Sequence, residues 1–88
     1  LGVAWHDGRL YIADSYNDKI KVLDPDTGVV TSLALRDDTG MPASLSEPGG
    51  LSAGDGALYI ADTNRHAIRV VTPATGRTTT FDIRGLQP

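Results

Sequence analysis

The sequence of 88 residues lacks cysteine and is poor in the residues that fill exposed helix positions. Without cysteine it can form neither a disulfide framework nor a thiol-based site. Glu, Lys, Gln and Met together supply five residues, whereas Val, Ile and Thr supply 20. This balance excludes a helical bundle and favours β-strands. The longest uninterrupted apolar run, residues 57–61, is too short for a membrane-spanning helix.

A concentrated positive charge is also missing. The net charge is −3, the eight basic and 11 acidic residues are interspersed, and there is one Trp and one Phe. Nucleic-acid and polybasic membrane surfaces need clustered Lys and Arg, and single-strand binding also needs exposed aromatic rings. We therefore expect neither a nucleic acid nor a membrane as a partner.

The sequence does contain an internal repeat with an offset of 48 residues. Gly-Arg-Leu-Tyr-Ile-Ala-Asp at residues 8–14 recurs as Gly-Ala-Leu-Tyr-Ile-Ala-Asp at residues 56–62, and 12 of the 26 positions from 8 to 33 are identical to their counterparts. Turn residues divide each copy into four short apolar stretches. The predicted strands are residues 1–5, 10–14, 20–23 and 29–35, then 50–53, 57–62, 67–72 and 77–83.

A repeated unit of four strands and about 40–50 residues is typical of a β-propeller blade. We predict an all-β chain made of two four-stranded antiparallel blades, with residues 1–40 in the first and 41–88 in the second. A single eight-stranded sandwich or barrel is the alternative that the strand count also permits.

The second unit resembles a known repeat family. Residues 58–70 read Leu-Tyr-Ile-Ala-Asp-Thr-Asn-Arg-His-Ala-Ile-Arg-Val and follow Glu-Pro-Gly-Gly-Leu at 47–51, which resembles the NHL repeat of β-propeller proteins. Residues 11–22 match as well, except that Asp18 stands where the family usually has the histidine seen here at His66. More narrowly, the segment is similar to the last two blades of proteins that join a thioredoxin-like domain to an NHL propeller.

Two blades share one interface and leave two apolar sheet faces uncovered, which costs roughly 25 cal/mol per Å² of wet apolar surface. We therefore expect this fragment to associate with copies of itself into a closed ring. The NHL resemblance implies six blades, and hence a homotrimer with heterologous contacts.

The candidate binding surface lies at one end of the blades. The hairpins after each second strand, together with the long loop at residues 36–48, are predicted on that end, and long loops commonly carry binding residues. In the alternative, the loop only links the blades. The candidate residues for contacting a protein or small ligand are Tyr16, Asn17, Lys19, Arg36, Asp37, Asp38, Asn64, Arg65 and His66.

Four repeated positions are interpreted as structural. Asp14 and Asp62 end equivalent strands, and we expect each carboxylate to accept backbone N–H groups of the turn that follows it. Gly2 and Gly50 are also equivalent, and we expect Gly2 and the Gly49-Gly50 pair to permit close backbone approach near the ring centre.

Catalytic signatures are missing from the sequence. It has no phosphate-binding glycine loop, no nucleophile elbow and no closely spaced His/Asp/Glu cluster. We therefore expect a non-catalytic scaffold that binds protein or ligand, with no metal and no cofactor. The alternative is a part of a propeller enzyme, or of a redox protein whose thioredoxin-like domain lies outside this chain.

Overall fold

In the computed structural model, which describes residues 2–81 in full and the backbone of Asp82, the chain forms two four-stranded antiparallel sheets. Each sheet follows chain order from its first strand to its last. The first sheet contains β1 Val3–His6, β2 Arg9–Asp14, β3 Lys19–Leu23 and β4 Val30–Ser32. The second contains β5 Pro48–Gly54, β6 Ala57–Asp62, β7 Ala67–Thr72 and β8 Arg77–Asp82. The predicted pair of four-stranded antiparallel sheets is confirmed. Within residues 2–82, no helix has the length and apolar character needed to cross a membrane.

The first hairpin of each sheet is built from the same two residue types. Asp7 and Gly8 have φ values of 49° and 79°, and Asp55 and Gly56 have 51° and 78°. Two successive residues with positive φ form the type I′ turn, whose twist matches that of the flanking strands. The repeated Asp-Gly pair therefore fixes the register of β1 on β2 and of β5 on β6.

The connection between the second and third strands is one 3₁₀ turn in each sheet. Ser15–Asn17 and Thr63–Arg65 form these turns, and each turn ends in a left-handed residue, Asp18 or His66. Asp and His enter this backbone region more readily than most side chains. The Asp18 and His66 positions, which differ in chemistry, therefore share one conformation.

Several strand boundaries differ from the prediction, and the end of β4 and the start of β5 differ by two residues or more. β4 ends at Ser32 rather than at Leu35. The Leu33 N–H still donates to the Ile20 carbonyl at 2.8 Å, and Leu33 and Leu35 both pack against the core. β5 begins at Pro48, two residues earlier than predicted, and its pairing with β6 shifts between Pro48 and Leu51. The predicted strand end at residue 83 lies outside the described residues.

The core is one apolar cluster between the two sheets. Its buried members are Tyr11, Ala13, Ile20, Val22, Leu45, Leu58, Ile60 and Val71. Leu45 comes from the connection between the sheets, and the others come from strands. Contacts between the sheets are concentrated on β1, β2 and β5, so the outer strands diverge. This divergence is typical of adjacent propeller blades, and the alternative of a closed sandwich or barrel is wrong.

Candidate functional site

The site is organised by residues 44–48, which we call the linking segment, because they pass between the hairpins of both sheets. The Ser15 hydroxyl donates to the Pro48 carbonyl at 2.6 Å, and the Glu47 N–H donates to Asp18 Oδ1 at 2.7 Å. On the second sheet, the Asn64 side-chain amide donates to Ser46 Oγ at 3.2 Å. The linking segment therefore ties the two hairpins to each other.

A buried carboxylate anchors this segment from below. Asp62 is fully buried and accepts the Ser46 N–H at 2.7 Å. Arg69 donates from Nη1 both to Asp62 Oδ2 at 3.1 Å and to the Ser44 carbonyl at 2.9 Å. Arg69 is itself 7% exposed, so the ion pair is shielded from water. A buried pair of this kind fixes geometry, since each charge needs the other to compensate for lost hydration.

The partners of the two repeated aspartates differ from the prediction. Among residues 2–82, neither carboxylate accepts a hydrogen bond from the backbone of its following turn. Because alternate residues of a strand share a face, Asp14 lies on the face of Leu10 and Ile12. Asp62 likewise lies on the face of Leu58 and Ile60. Each carboxylate therefore projects from the sheet face and does not point into the following turn. Asp14 instead accepts the Asn17 side-chain amide at 2.8 Å and lies 4.0 Å from Lys21 Nζ.

Between the two hairpins lies an open groove of about 430 Å³. Its lining residues are Ser15, Tyr16, Asp18, Ser46, Glu47 and Asn64. Tyr16 is 100% exposed at the tip of the first hairpin. The structure thus brings together the predicted Tyr16 and Asn64. Sequence reasoning missed Ser15, Asp18 and Glu47. The signal that could have identified Asp18 is that it stands where the second unit has His66.

Four further predicted residues lie on the hairpins beside the groove. Asn17 and Lys19 are exposed on the first hairpin, and Lys19 pairs with Asp14 across the sheet. On the second hairpin, Arg65 donates to Ser44 Oγ at 3.1 Å, and His66 is exposed. All four therefore border the groove without lining it.

The remaining three predicted residues do not join this surface, which corrects the predicted single face. Arg36 donates its N–H to the Gly76 carbonyl at 2.8 Å and accepts the Thr78 N–H at 2.7 Å. Asp38 lies 3.1 Å from Arg77 Nη2. The chain therefore runs along the outer strand of the second sheet before it reaches the hairpins. Arg36, Asp37 and Asp38 are placed at that strand.

Asp37 organises its own loop. Hydrogen bonds hold the pKa of its carboxyl below the usual range, first from the Thr39 hydroxyl at 2.6 Å and next from the Thr39 N–H at 2.9 Å. The Met41 N–H adds a bond at 3.1 Å. Because the folded pKa is depressed, this contribution to loop order is present above the unfolded pKa and is lost as pH falls through the folded pKa.

We expect Thr39→Val to raise the pKa of Asp37 towards its ordinary value, because the largest stabilising donor to the carboxylate is removed. The measurement is an NMR titration of the side-chain carboxyl carbon. Thr27→Val is the control, since the Thr27 hydroxyl accepts from the Val29 N–H within its own turn. An unchanged Asp37 pKa in Thr39→Val would show that the hydroxyl is not the main cause.

The glycine prediction needs one correction. A Cβ on Gly2 would lie 2.7 Å from the Gly49 carbonyl oxygen and 2.9 Å from the Leu51 nitrogen, closer than real contacts allow. A Cβ on Gly50 would lie 3.6 Å from the Ala61 Cβ, an ordinary distance. The bulge at the start of β5 places Gly49, and not Gly50, against the first sheet. Close approach therefore requires Gly2 but not Gly50.

A second depression, of about 470 Å³, lies where the outer strands of the two sheets diverge. It is lined by strand residues such as Val22 and Thr31 and by Pro73 from a turn. None of the predicted contact residues lines this depression. Its aromatic lining residue, Tyr11, is buried, whereas Tyr16 at the groove is fully exposed. Within the described part of the chain, no three His, Asp or Glu side chains lie close enough together to hold a metal ion.

Comparison with known proteins connects this geometry to a repeat family. The family model for the NHL repeat matches residues 45–71, which include the linking segment from Leu45 onwards and the second hairpin. NHL repeat-containing protein 2 of Homo sapiens is 51% identical over 63 aligned residues, covering 61% of this chain. Protein SUPPRESSOR OF QUENCHING 1, chloroplastic, of Arabidopsis thaliana is 47% identical over 53 residues, covering 53% of this chain.

This chain spans only a small part of these relatives, 9% of the human protein and 5% of the Arabidopsis protein. Among solved structures, the crystal structure of Myxococcus xanthus glutaminyl cyclase aligns with a TM-score of 0.65 over 85% of this chain and 31% of its own. At 20% sequence identity, this match shows a shared fold alone.

Proposed function

We propose, from the premise that this chain is an NHL-repeat segment of β-propeller type, that it is a non-catalytic scaffold that binds a segment of another protein. The binding site is the groove between the two hairpins. The observation that carries the proposal is the rigid pairing of the hairpins by the linking segment, which leaves Tyr16 fully exposed at the groove edge.

The polar groups at the groove support a role in binding rather than in chemistry. The Ser15 hydroxyl, the Asp18 carboxylate and the Asn64 amide are all engaged in hydrogen bonds with the linking segment. Such groups are held in place and are not free to act as a nucleophile or a base. They preorganise the walls, which lowers the entropy cost of binding a partner.

The dimensions and composition of the groove fit a short peptide segment. Its volume of about 430 Å³ falls within the range typical of binding clefts, and it is open along one side. Tyrosine contributes large contact area at low entropic cost and is enriched among residues that dominate binding energy. We therefore place Tyr16 as the main contact, with Asn64 on the second hairpin and Glu47 on the linking segment as polar contacts.

The test is selection of binders from a displayed library of random peptides on the immobilised chain, followed by affinity measurement with one selected peptide. We expect Tyr16→Ala to weaken binding about tenfold or more, because aromatic anchors commonly contribute more than about 1.4 kcal/mol. NMR shift mapping with the same peptide should locate it at the two hairpins.

Met41→Ala is the control, because Met41 is also large, apolar and 62% exposed but does not line the groove. It should leave the affinity unchanged. Selected peptides that bind Tyr16→Ala and the wild type equally well would exclude the groove as the binding site.

A further inference from the structure

We infer that the outer face of the first sheet docks onto the outer face of the second sheet of another copy of this chain. An outer face is the side of a sheet turned away from its partner sheet. On the first sheet its apolar residues are Val3, Trp5, Leu10, Ile12, Leu23 and Val30. On the second sheet they are Tyr59, Ala61, Ile68, Val70 and Phe81. This inference does not depend on the proposed peptide groove.

The contact inside the chain shows what the outer face of the first sheet is suited to bind. Leu58, Ile60 and Val71 on the inward side of the second sheet are fully buried against the first sheet. Subtracting the repeat offset of 48 gives Leu10, Ile12 and Leu23, which are only half-buried. The same apolar positions thus form an interface in one unit and an uncovered surface in the other. In addition, Trp5 is 60% exposed on this surface.

The converse holds for the second sheet. Tyr11, Ala13, Ile20 and Val22 are the residues that the first sheet contributes to the core. Their counterparts are Tyr59, Ala61, Ile68 and Val70, none of which is buried. Leu33 packs against the core, whereas its counterpart Phe81 is 70% exposed. The two outer faces of this chain are therefore the two complementary halves of the interface that already exists between its sheets.

A charged pair on the outer face of the first sheet is more exposed and more widely spaced than its counterpart on the second sheet. Asp62 is fully buried, with Arg69 at 3.1 Å and a backbone N–H from Ser46. The counterparts Asp14 and Lys21 are 4.0 Å apart, and their side chains are 23% and 36% exposed. A neighbouring sheet over this face would remove both from water and tighten the pair, as the first sheet does for Asp62 and Arg69.

The contact between copies should be reversible. The linking segment adds Leu45 and the Ser46 N–H to the interface within the chain. The contact that we infer between copies consists of the two sheet faces without such a segment. Such a contact buries less surface than the internal interface, and we expect it to dissociate on dilution.

The contact is also directional, because the outer face of the first sheet in one copy meets the outer face of the second sheet in the next copy. A heterologous contact of this type closes into a ring when its rotation allows. Propellers of about 4–8 blades correspond to two to four copies of a two-blade chain. Three copies are expected from the resemblance described above.

The test is sedimentation velocity on the 88-residue chain over a range of concentrations. We expect a reversible assembly of two to four chains, and Val30→Glu should reduce it to the mass of one chain. Val29→Glu is the matched control, because Val29 and Val30 are neighbours that are 54% and 51% exposed. Val29 lines the depression between the sheets, whereas Val30 lies beside Leu23 on the outer face. Val29→Glu should keep the wild-type mass.

Phe81→Glu alters the other outer face and should also give the mass of one chain, which provides a second route if Val30→Glu does not fold. When both variants fold, each keeps one intact outer face, so a mixture should form a complex of two chains and stop there. A wild type that stays at the mass of one chain at every concentration overturns the inference. Dissociation by Val29→Glu, or a mixture that stays unassociated, overturns it as well.

Discussion

Asp62→Asn should lower the free energy of unfolding by about 3–5 kcal/mol, since removing one partner of a buried ion pair leaves the other charge uncompensated. The charge left behind belongs to Arg69, which is 7% exposed and lies 3.1 Å from Asp62. Asparagine keeps an oxygen that can accept the Ser46 N–H, so most of the loss comes from the ion pair. Urea unfolding followed by circular dichroism gives the measurement.

Asp14→Asn is the matched control, because Asp14 occupies the same position in the first unit. Its partner Lys21 is 4.0 Å away and both side chains are partly exposed in a single chain. At a protein concentration low enough to dissociate the inferred assembly, the loss should therefore stay below about 1 kcal/mol. Replacing Arg69 with methionine in the Asp62→Asn background should recover part of the stability, because the unpaired charge is then gone. Equal losses at Asp14 and Asp62 would show that burial does not govern the strength of this pair.

Gly76→Ala should cost about 2–4 kcal/mol of folding stability, for two separate reasons. Gly76 has a φ of 77°, which costs a residue with a Cβ about 1 kcal/mol. A Cβ there would also overlap the Ala34 carbonyl oxygen and lie 3.1 Å from its carbon. The backbone around Ala34 would have to move, which adds an overpacking cost of about 1–3 kcal/mol.

The control for this substitution is Gly28→Ala. Gly28 is the repeat counterpart of Gly76 and has a φ of 74°. Apart from Gly28 itself and its two chain neighbours, no described residue has an atom within 4 Å of where the alanine methyl group would stand. Its replacement should therefore cost only the conformational part, about 1 kcal/mol. The difference between the two variants, measured by urea unfolding, isolates the contact between the sheets. Identical costs would mean that this contact adjusts freely.

Most of the fold could be predicted because its determinants are local. The Asp-Gly turns and the repeated Leu-Tyr-Ile-Ala-Asp stretch mark strand ends within a few residues of sequence. The end of β4 could not be predicted in this way, because Leu33 continues the apolar alternation of a strand. The strand nevertheless ends at Ser32, and the chain turns towards the second sheet, where the Arg36 backbone bonds to Gly76 and Thr78. That choice depends on residues far away in the sequence.

The candidate site was less predictable, because residues distant in the sequence assemble it. Residues 36–38 belong to the same loop as Ser46, yet Arg36 is held at Gly76 by backbone hydrogen bonds. Glu47 joins the groove through a left-handed backbone, with φ 51°, and a bond to Asp18, which is 29 residues away. Composition and repeat alignment contain no signal for either contact. Only the hairpin tips, Tyr16 and Asn64, were accessible to local reasoning.

The pairing of Arg36 with the start of β8 has a consequence for solubility. The free edge of a sheet is a template on which strands of other molecules can add, and long uncovered edges promote aggregation. By occupying hydrogen-bonding groups of Gly76 and Thr78, Arg36 blocks the beginning of the β8 edge. In the first sheet, the edge strand β4 is only three residues long and offers little to a foreign strand. The connection between the sheets thus doubles as protection against amyloid-like growth.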